Sequence, residues 1–440
     1  MRDIWLVAWV ALGVGFTFRF PFVGVLIWEW FSLMNPHREA FGFSQNLPLN
    51  MIIALATLVS WVISKEPKRI PSNPIVVVLA MFLVWMTFNS FFAFNPTWSW
   101  PFWDRTWRVL LLGFLITTMA TNKARIDAVI WVAVISLLYF GVKGGLFTVL
   151  TGGTYKVLGP ESTIIADNNQ LALALLMAIP LVEYLRSNTS FKPLSWLLAS
   201  TMIFTAISII GSYSRGAYIA MAAIALMAWF KARRKFAFLA ILVVAGVAIY
   251  HFTPQEIIDR AASIQSADSD ASFHGRWVAW QVAIKYATDH FPLGAGFYGP
   301  QLNGIFNYYF PSEGSHAAHS IYFQVLGEHG WIGLALYVAL IFFSFGTCWR
   351  LARTQQQHST NWVRKLSAMT QISLFAFMVG GAALSMAYYD LFIILVCLIP
   401  QMAQLSQPAS TRRAAFRVND SFAPTPGLAQ QPSLRSPAKG

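Results

Sequence analysis

The sequence predicts an all-α fold, a polytopic transmembrane helical bundle of about 12 spans with one long periplasmic loop containing amphipathic helices. Three observations predict it. Only 11% of the 440 residues are charged, 56% are hydrophobic, and mean hydropathy is +0.54, whereas soluble domains carry about 25% charged residues. Apolar runs of spanning length recur along the chain. The cations between those runs collect in alternate connections. A chain so poor in charge cannot cover a water-facing surface, so most of its surface faces lipid. Its 18 Trp and 36 Phe suit interfacial belts.

The runs expected to span are 4–33, 48–64, 73–94, 103–120, 126–142, 164–185, 193–211, 216–230, 236–251, 318–349, 366–386 and 391–405. The first is too long and too interrupted for a cleaved signal peptide and reads as a retained anchor. It is long enough to break near Arg19–Pro21 into two short helices, and that break decides on which side the N-terminus lies. Lys65, Lys68 and Arg69 share one connection, Lys123 and Arg125 another, and Arg186 and Lys192 a third. The run 231–235 and the connection with Arg350, Arg353, Arg364 and Lys365 complete the set. All fall on one side if the spans are right, and the positive-inside rule makes that side cytoplasmic. The net charge of +13 therefore reflects topology. The basic loops are dispersed and lack a recognition module, so no nucleic acid is expected as a partner.

The opposite face holds Glu161, Asp167, Glu256, Asp259, Asp268, Asp270, Asp289 and Glu313. The long connection 252–317 lies there. In its second half Phe273, Trp277, Trp280 and Ile284 form one helical stripe, as in a helix lying in the membrane interface. A flexible, glycine-rich turn, Pro292-Leu-Gly-Ala-Gly-Phe-Tyr-Gly, follows. Residues 1–405 thus read as the membrane domain, and 406–440, rich in Ser, Pro, Ala, Gln and Arg, as a disordered cytoplasmic tail. The two cysteines, Cys348 and Cys397, sit in apolar runs without metal-ligand spacing, and no disulfide is expected.

The residues that could carry chemistry gather on the outer face. Arg215, in Gly211-Ser-Tyr-Ser-Arg-Gly-Ala-Tyr218, stands at the junction of two spans beside Tyr213. An arginine there either snorkels to lipid headgroups or clamps a phosphate, whose oxygens its planar fork binds in pairs. Arg276 lies on the polar edge of the Trp-rich helix, as a solvated charge or as a contact for a lipid-linked anionic head. His316 and His319 close the long loop. A neutral imidazole at the mouth of a span is either a packed, hydrogen-bonded histidine or a base for an attacking hydroxyl. Their spacing could hold two metal ligands, but no nearby Cys or acidic cluster completes a site, so no metal and no cofactor are expected. Asp167, Glu161 and Asp390 are the carboxylates that could compete as base.

A longer pattern joins these residues: His319-Ser320, nine residues, Gly330, two residues, Gly333. It resembles the signature of the O-antigen ligase-like superfamily, which includes O-antigen ligases, O-antigen polymerases and protein-O-glycosylating oligosaccharyltransferases. The segments 19–28, Met34-Asn-Pro-His-Arg38, Asp167-Asn-Asn-Gln-Leu-Ala-Leu and Tyr213-Ser-Arg-Gly-Ala-Tyr218 look like the branch of O-glycosylation ligases associated with the exosortase A system. The likeness covers about residues 1–405. It implies a metal-independent, inverting glycosyltransferase of the inner membrane with its site facing the periplasm. The donor would be an undecaprenyl-diphosphate-linked glycan and the acceptor a lipid-linked sugar or a protein hydroxyl. By position, Arg215 and Arg276 match the family's diphosphate-binding arginines and His319 its acceptor-activating histidine. A polymerase of the same superfamily needs the same groups. A non-enzymatic polysaccharide transporter would instead place charges mid-membrane. Such charges are few, with Glu29 and Glu183 nearest.

Overall fold

The computed structural model describes residues 1–40, 42–66, 68–231, 268–354 and 361–407. The expected span at 236–251, the first part of the long connection and the tail from 408 onward lie outside the described residues. Among those described, all regular structure is helical and no strand occurs.

The first apolar stretch is two helices, α1 (Arg2–Arg19) and α2 (Pro21–Met34). Phe20 is non-helical, and Pro21 opens α2, where its fixed φ suits a first turn and its missing N–H is not needed. Two contacts orient the pair. The Asp3 carboxylate accepts bonds from the Ser44 N–H and hydroxyl, at 3.0 and 2.7 Å, in the turn that follows α2. At the other end the Thr17 carbonyl accepts a 2.5 Å bond from Ser60, near the end of α3 (Leu49–Ile63). The N-terminus therefore lies where α2 finishes, and Arg2 does not join the cation-rich end.

The chain continues through α4 (Pro74–Phe91), α5 (Pro96–Met119), α6 (Lys123–Leu150), α7 (Asn168–Asn188), α8 (Lys192–Gly211) and α9 (Arg215–Lys231). Asn73, Asn95, Asn122 and Asp167 cap α4 to α7, each side chain accepting a bond from the first turn. Such caps are worth about 1 kcal/mol each. They explain why α5 and α6 start earlier than hydropathy alone suggests. After the undescribed stretch come α10 (Asp268–Asp289), α11 (Asn303–Tyr309), α12 (Ile321–Arg353), α13 (Asn361–Gly381) and α14 (Asp390–Ser406). Among the described residues, five helices, α4, α6, α7, α8 and α12, are long and apolar enough to cross a membrane by length and composition.

One hydrophobic core runs from Val10 to Met402. Its centre is α7 and α14, apolar on every side and buried along most of their length, as expected of helices enclosed by others. Helices α6 and α8 approach most closely through small residues. A Cβ on Gly141 or Gly144 would strike Thr205 or Ser208, and one on Gly145 would come within 2.1 Å of the Phe204 carbonyl oxygen. Without a hydrophobic drive between helices in lipid, such close backbone contact holds the pair.

The cation-rich connections at 65–69, 123–125, 186–192 and 364–365 meet at one end. Arg125 makes bonds of 2.8 and 2.7 Å to both oxygens of Glu66, Tyr184 donates to Asp127 at 2.6 Å, and Lys365 reaches the Ser187 carbonyl at 3.2 Å. The opposite end is more basic than the sequence suggests. Lys143 there pairs with Glu39 at 2.8 Å.

Helix α10 forms over the expected stripe, with a different face buried. Phe273 and Trp277 are exposed, while Val278, Ala279, Val282, Ala283, Tyr286 and Ala287 are packed inward. Part of that face makes a small second core with Ala295, Ile305 and Phe306. The small residues win the interior because α10 lies close along α12.

Candidate functional site

His319 immediately precedes α12 and adopts φ 43°, a left-handed conformation uncommon for a residue with a side chain. Its neighbours hold it there. The Ala318 carbonyl accepts a 2.7 Å bond from Trp280 of α10, whose ring stacks on Phe323 at 4.8 Å. Ser320 serves as N-cap of α12 and is buried. Burial lowers the basicity of the His319 imidazole, the Arg276 guanidinium lowers it further, and the Asp167 carboxylate opposes both. His316 adds a smaller lowering effect. The structure thus brings His319, Arg276, Asp167 and His316 into one electrostatic neighbourhood, and His319 is held neutral near pH 7.

Arg276 projects from α10, half-buried, and its Nε is buried with no hydrogen-bond partner among the described residues. Next to it Gly275 leaves room for the His316 ring, whose atoms would stand 3.2 Å from a Cβ there. His316 itself is exposed and meets Phe306 edge-on. His274 and Glu313, 3.0 Å apart, tie the start of α10 to the strap that carries both histidines.

Arg215 is the first residue of α9, behind a tightly built corner. The Ser214 hydroxyl accepts a 3.2 Å bond from the Ala217 N–H and so caps the helix. Asn168 donates to the Ser212 carbonyl at 2.7 Å, and the Tyr213 hydroxyl donates to the Gly153 carbonyl. Tyr213 itself has φ 56°, and burial pushes its phenol up, so it stays a donor. Arg215 is exposed and has no ion pair among the described residues. A cation at a helix N-terminus opposes the macrodipole, and a guanidinium beside first-turn backbone N–H groups is a combination chemically suited to an anion. Asp167 caps α7, accepting a 2.9 Å bond from the Asn169 N–H. Arg215 is not among the charges acting on His319. The turn after α13 touches both neighbourhoods: a Cβ on Gly216 would stand 3.6 Å from Ala383, and one on Gly381 would stand 2.9 Å from Ile321. Both residues therefore lie at the same end of the bundle.

The glycine pair of the sequence pattern has a physical role. Gly330 interrupts α12 at φ 69°, ψ −173°, a conformation essentially restricted to glycine. The loop 292–299 seats against this break. Ala295 and Gly296 donate to the carbonyls of Gly327 and Glu328 at 2.9 Å, and Gly294 donates to Asn89 at 2.8 Å. A Cβ on Gly330 would lie 2.6 Å from the Pro292 carbonyl oxygen, and one on Gly333 would lie 2.4 Å from the Cβ of His329.

Sequence reasoning passed over Glu328 and His329, which are buried in α12. The Glu328 carboxylate accepts bonds from the Tyr298 N–H at 3.1 Å and the Tyr388 hydroxyl at 2.6 Å. A Glu-His pair inside an apolar helix was the available signal, because a charge within a span seldom lacks a partner. Asp390, a candidate base, is buried between the Ser32 hydroxyl and Arg105, with Arg105 at 3.5 Å. That enclosure gives it a structural partner set and no open approach. Glu161 is exposed in the connection before α7. Among the described residues no three His, Cys, Asp or Glu side chains are grouped to hold a metal. Two clefts, of about 510 and 270 Å³, open elsewhere, and His319, Arg215 and Arg276 line neither.

Apolar helices packed around a polar cluster at one end define a multi-pass membrane protein. Residues 200–338 match the family model described as O-Antigen ligase, and residues 1–190 match a family of unknown function (DUF5935). The first match supports the O-antigen ligase superfamily and, with it, a glycosyl-transferring membrane function of the ligase or polymerase type. It contains Arg215, Arg276, His316, His319, Gly330 and Gly333, whereas Asp167 lies in the other stretch. No curated protein matches the chain.

Proposed function

We propose that the protein transfers a glycan from an undecaprenyl-diphosphate carrier to an acceptor hydroxyl on the outer face of the bacterial inner membrane. In this reading about a dozen helices cross the bilayer, the cation-rich end faces the cytosol, and residues 406–440 form a cytoplasmic tail. His319 takes the acceptor proton as the oxygen attacks the anomeric carbon. The bond from that carbon to the diphosphate breaks, and the diphosphate leaves with the electron pair. Arg276 and Arg215 receive its charge through paired hydrogen bonds where water is sparse. A single displacement inverts the carbon and needs no metal. The acceptor is a lipid-linked sugar or a protein hydroxyl; a second lipid-linked glycan as acceptor makes the same chemistry a polymerase.

The observation that carries this reading is the His319 imidazole, its basicity lowered, in the field of the Arg276 guanidinium, whose buried Nε has no partner among the described residues. The test is transfer in vitro from purified lipid-linked glycan, with the linked acceptor identified by mass spectrometry. His319→Ala should lower the rate by about 10²–10⁴-fold, the usual contribution of a positioned base. Arg215→Ala should lower it by about 10²-fold or more. Membrane abundance should hold in both, since both residues keep solvent-accessible surface, although neighbours partly enclose the His319 ring. Normal transfer by either variant refutes its assigned role.

A further inference from the structure

We propose that the cleft between α10 and α11 is a glycan subsite, holding the sugar chain several units away from the reacting end. This rests on the function proposed above. The cleft is about 510 Å³ and combines aromatic faces with one carboxylate. Tyr286 and His290 stack 4.0 Å apart on one wall, and Tyr308 and Tyr309 meet edge-on across from them. Asp289 accepts a 2.7 Å bond from the Tyr309 hydroxyl, which leaves its other oxygen to accept from a ligand. Phe94, from the α4–α5 connection, closes the end, and Gly304 leaves its ring the space to do so.

This chemistry fits a neutral saccharide. The C–H faces of a sugar ring carry slight positive charge and lie on the negative face of an aromatic ring. Its hydroxyls donate to a carboxylate and accept from a phenol. Burial and the bonded carboxylate push the Tyr309 phenol up, so it keeps the proton it gives to Asp289, and Tyr308 is the phenol that donates to the sugar. Tyr308 is 77% exposed, so its ring face and hydroxyl are open to a ligand.

Position sets which part of the glycan is held. Arg276 and Asp289 ride the same helix, about 20 Å apart at 1.5 Å per residue. A single sugar on the diphosphate therefore cannot reach the cleft, whereas a chain of several sugars can.

The experiment uses the full chain in detergent. The probe is the oligosaccharide mixture released by mild acid from the polyprenyl-diphosphate pool of the source cells, fractionated by length. Binding should tighten as length grows to several sugars. It should weaken about fivefold to tenfold in Tyr308→Ala, the worth of one stacking ring. Asp289→Asn should weaken it similarly, and His319→Ala should leave it unchanged. Binding that ignores length, or that survives both cleft variants, overturns the subsite. If wild type binds in this way but transfers nothing in the assay of the previous subsection, the enzyme reading fails and the subsite stands.

Discussion

Gly330→Ala is the most direct test of how the site is built. The native φ of 69° and ψ of −173° would have to be kept by an alanine, at about 1–3 kcal/mol. The new Cβ would also meet backbone, 2.6 Å from the Pro292 oxygen and 2.8 Å from Leu293, and backbone cannot retreat like the end of a side chain. Relief by lifting the loop breaks the bonds from Gly294, Ala295 and Gly296 and leaves buried carbonyls bare. At about 1 kcal/mol for each bond, that route costs about 3 kcal/mol. Either way the variant loses about 2–3 kcal/mol or more. Gly346→Ala is the control, since a Cβ there meets nothing within 4 Å and the helix favours alanine. Thermal unfolding of both variants in detergent, followed by tryptophan fluorescence, reads the difference. The Gly330 variant should melt several degrees below wild type and should be cut within residues 292–299 by mild protease. Equal melting of the two variants refutes the seated loop.

Further outcomes follow from the same contacts. The acid limb of kcat/KM reports the free enzyme, and with His319 lowered by burial and by Arg276 it should fall below about pH 6.5. Asp167→Asn removes the charge that raises His319, so the limb should move to lower pH while asparagine still caps α7; a limb that stays or rises contradicts the proposed neighbourhood. Gly145→Ala should separate α6 from α8 and destabilise by about 1–3 kcal/mol, seen as a lowered melting midpoint. Chelators should leave transfer unchanged, and loss restored by a divalent cation would revive a metal role for His316 and His319.

The sequence carried the elements whose physics is local. The break at Arg19–Pro21 and the helix over 273–284 need only proline geometry and period, and the structure has both. What required three dimensions was not legible. The buried face of α10 is set by its packing on α12, which favours alanine and valine over the larger aromatic stripe. The 292–299 turn looked flexible because glycines usually loosen a chain; here they permit close seating on another helix. Asp390 looked available because it precedes a span, and only the fold brings Ser32 and Arg105 to it. The common end of Arg215 and His319 followed from span parity, whereas the link from Arg276 to His319 depends on how α10 folds back.

The carboxylate of Glu328 has a consequence for how the chain can be divided. It fastens together the loop at Tyr298, its own helix and Tyr388, which lies beyond the stretch matching O-antigen ligases. A fragment ending at residue 338 would strip away α13, α14 and the phenol, leaving Glu328 with only the Tyr298 N–H on an exposed greasy flank. The stretch matching O-antigen ligases is therefore not closed by its own contacts, and dissection of this protein has to retain the helices that follow it.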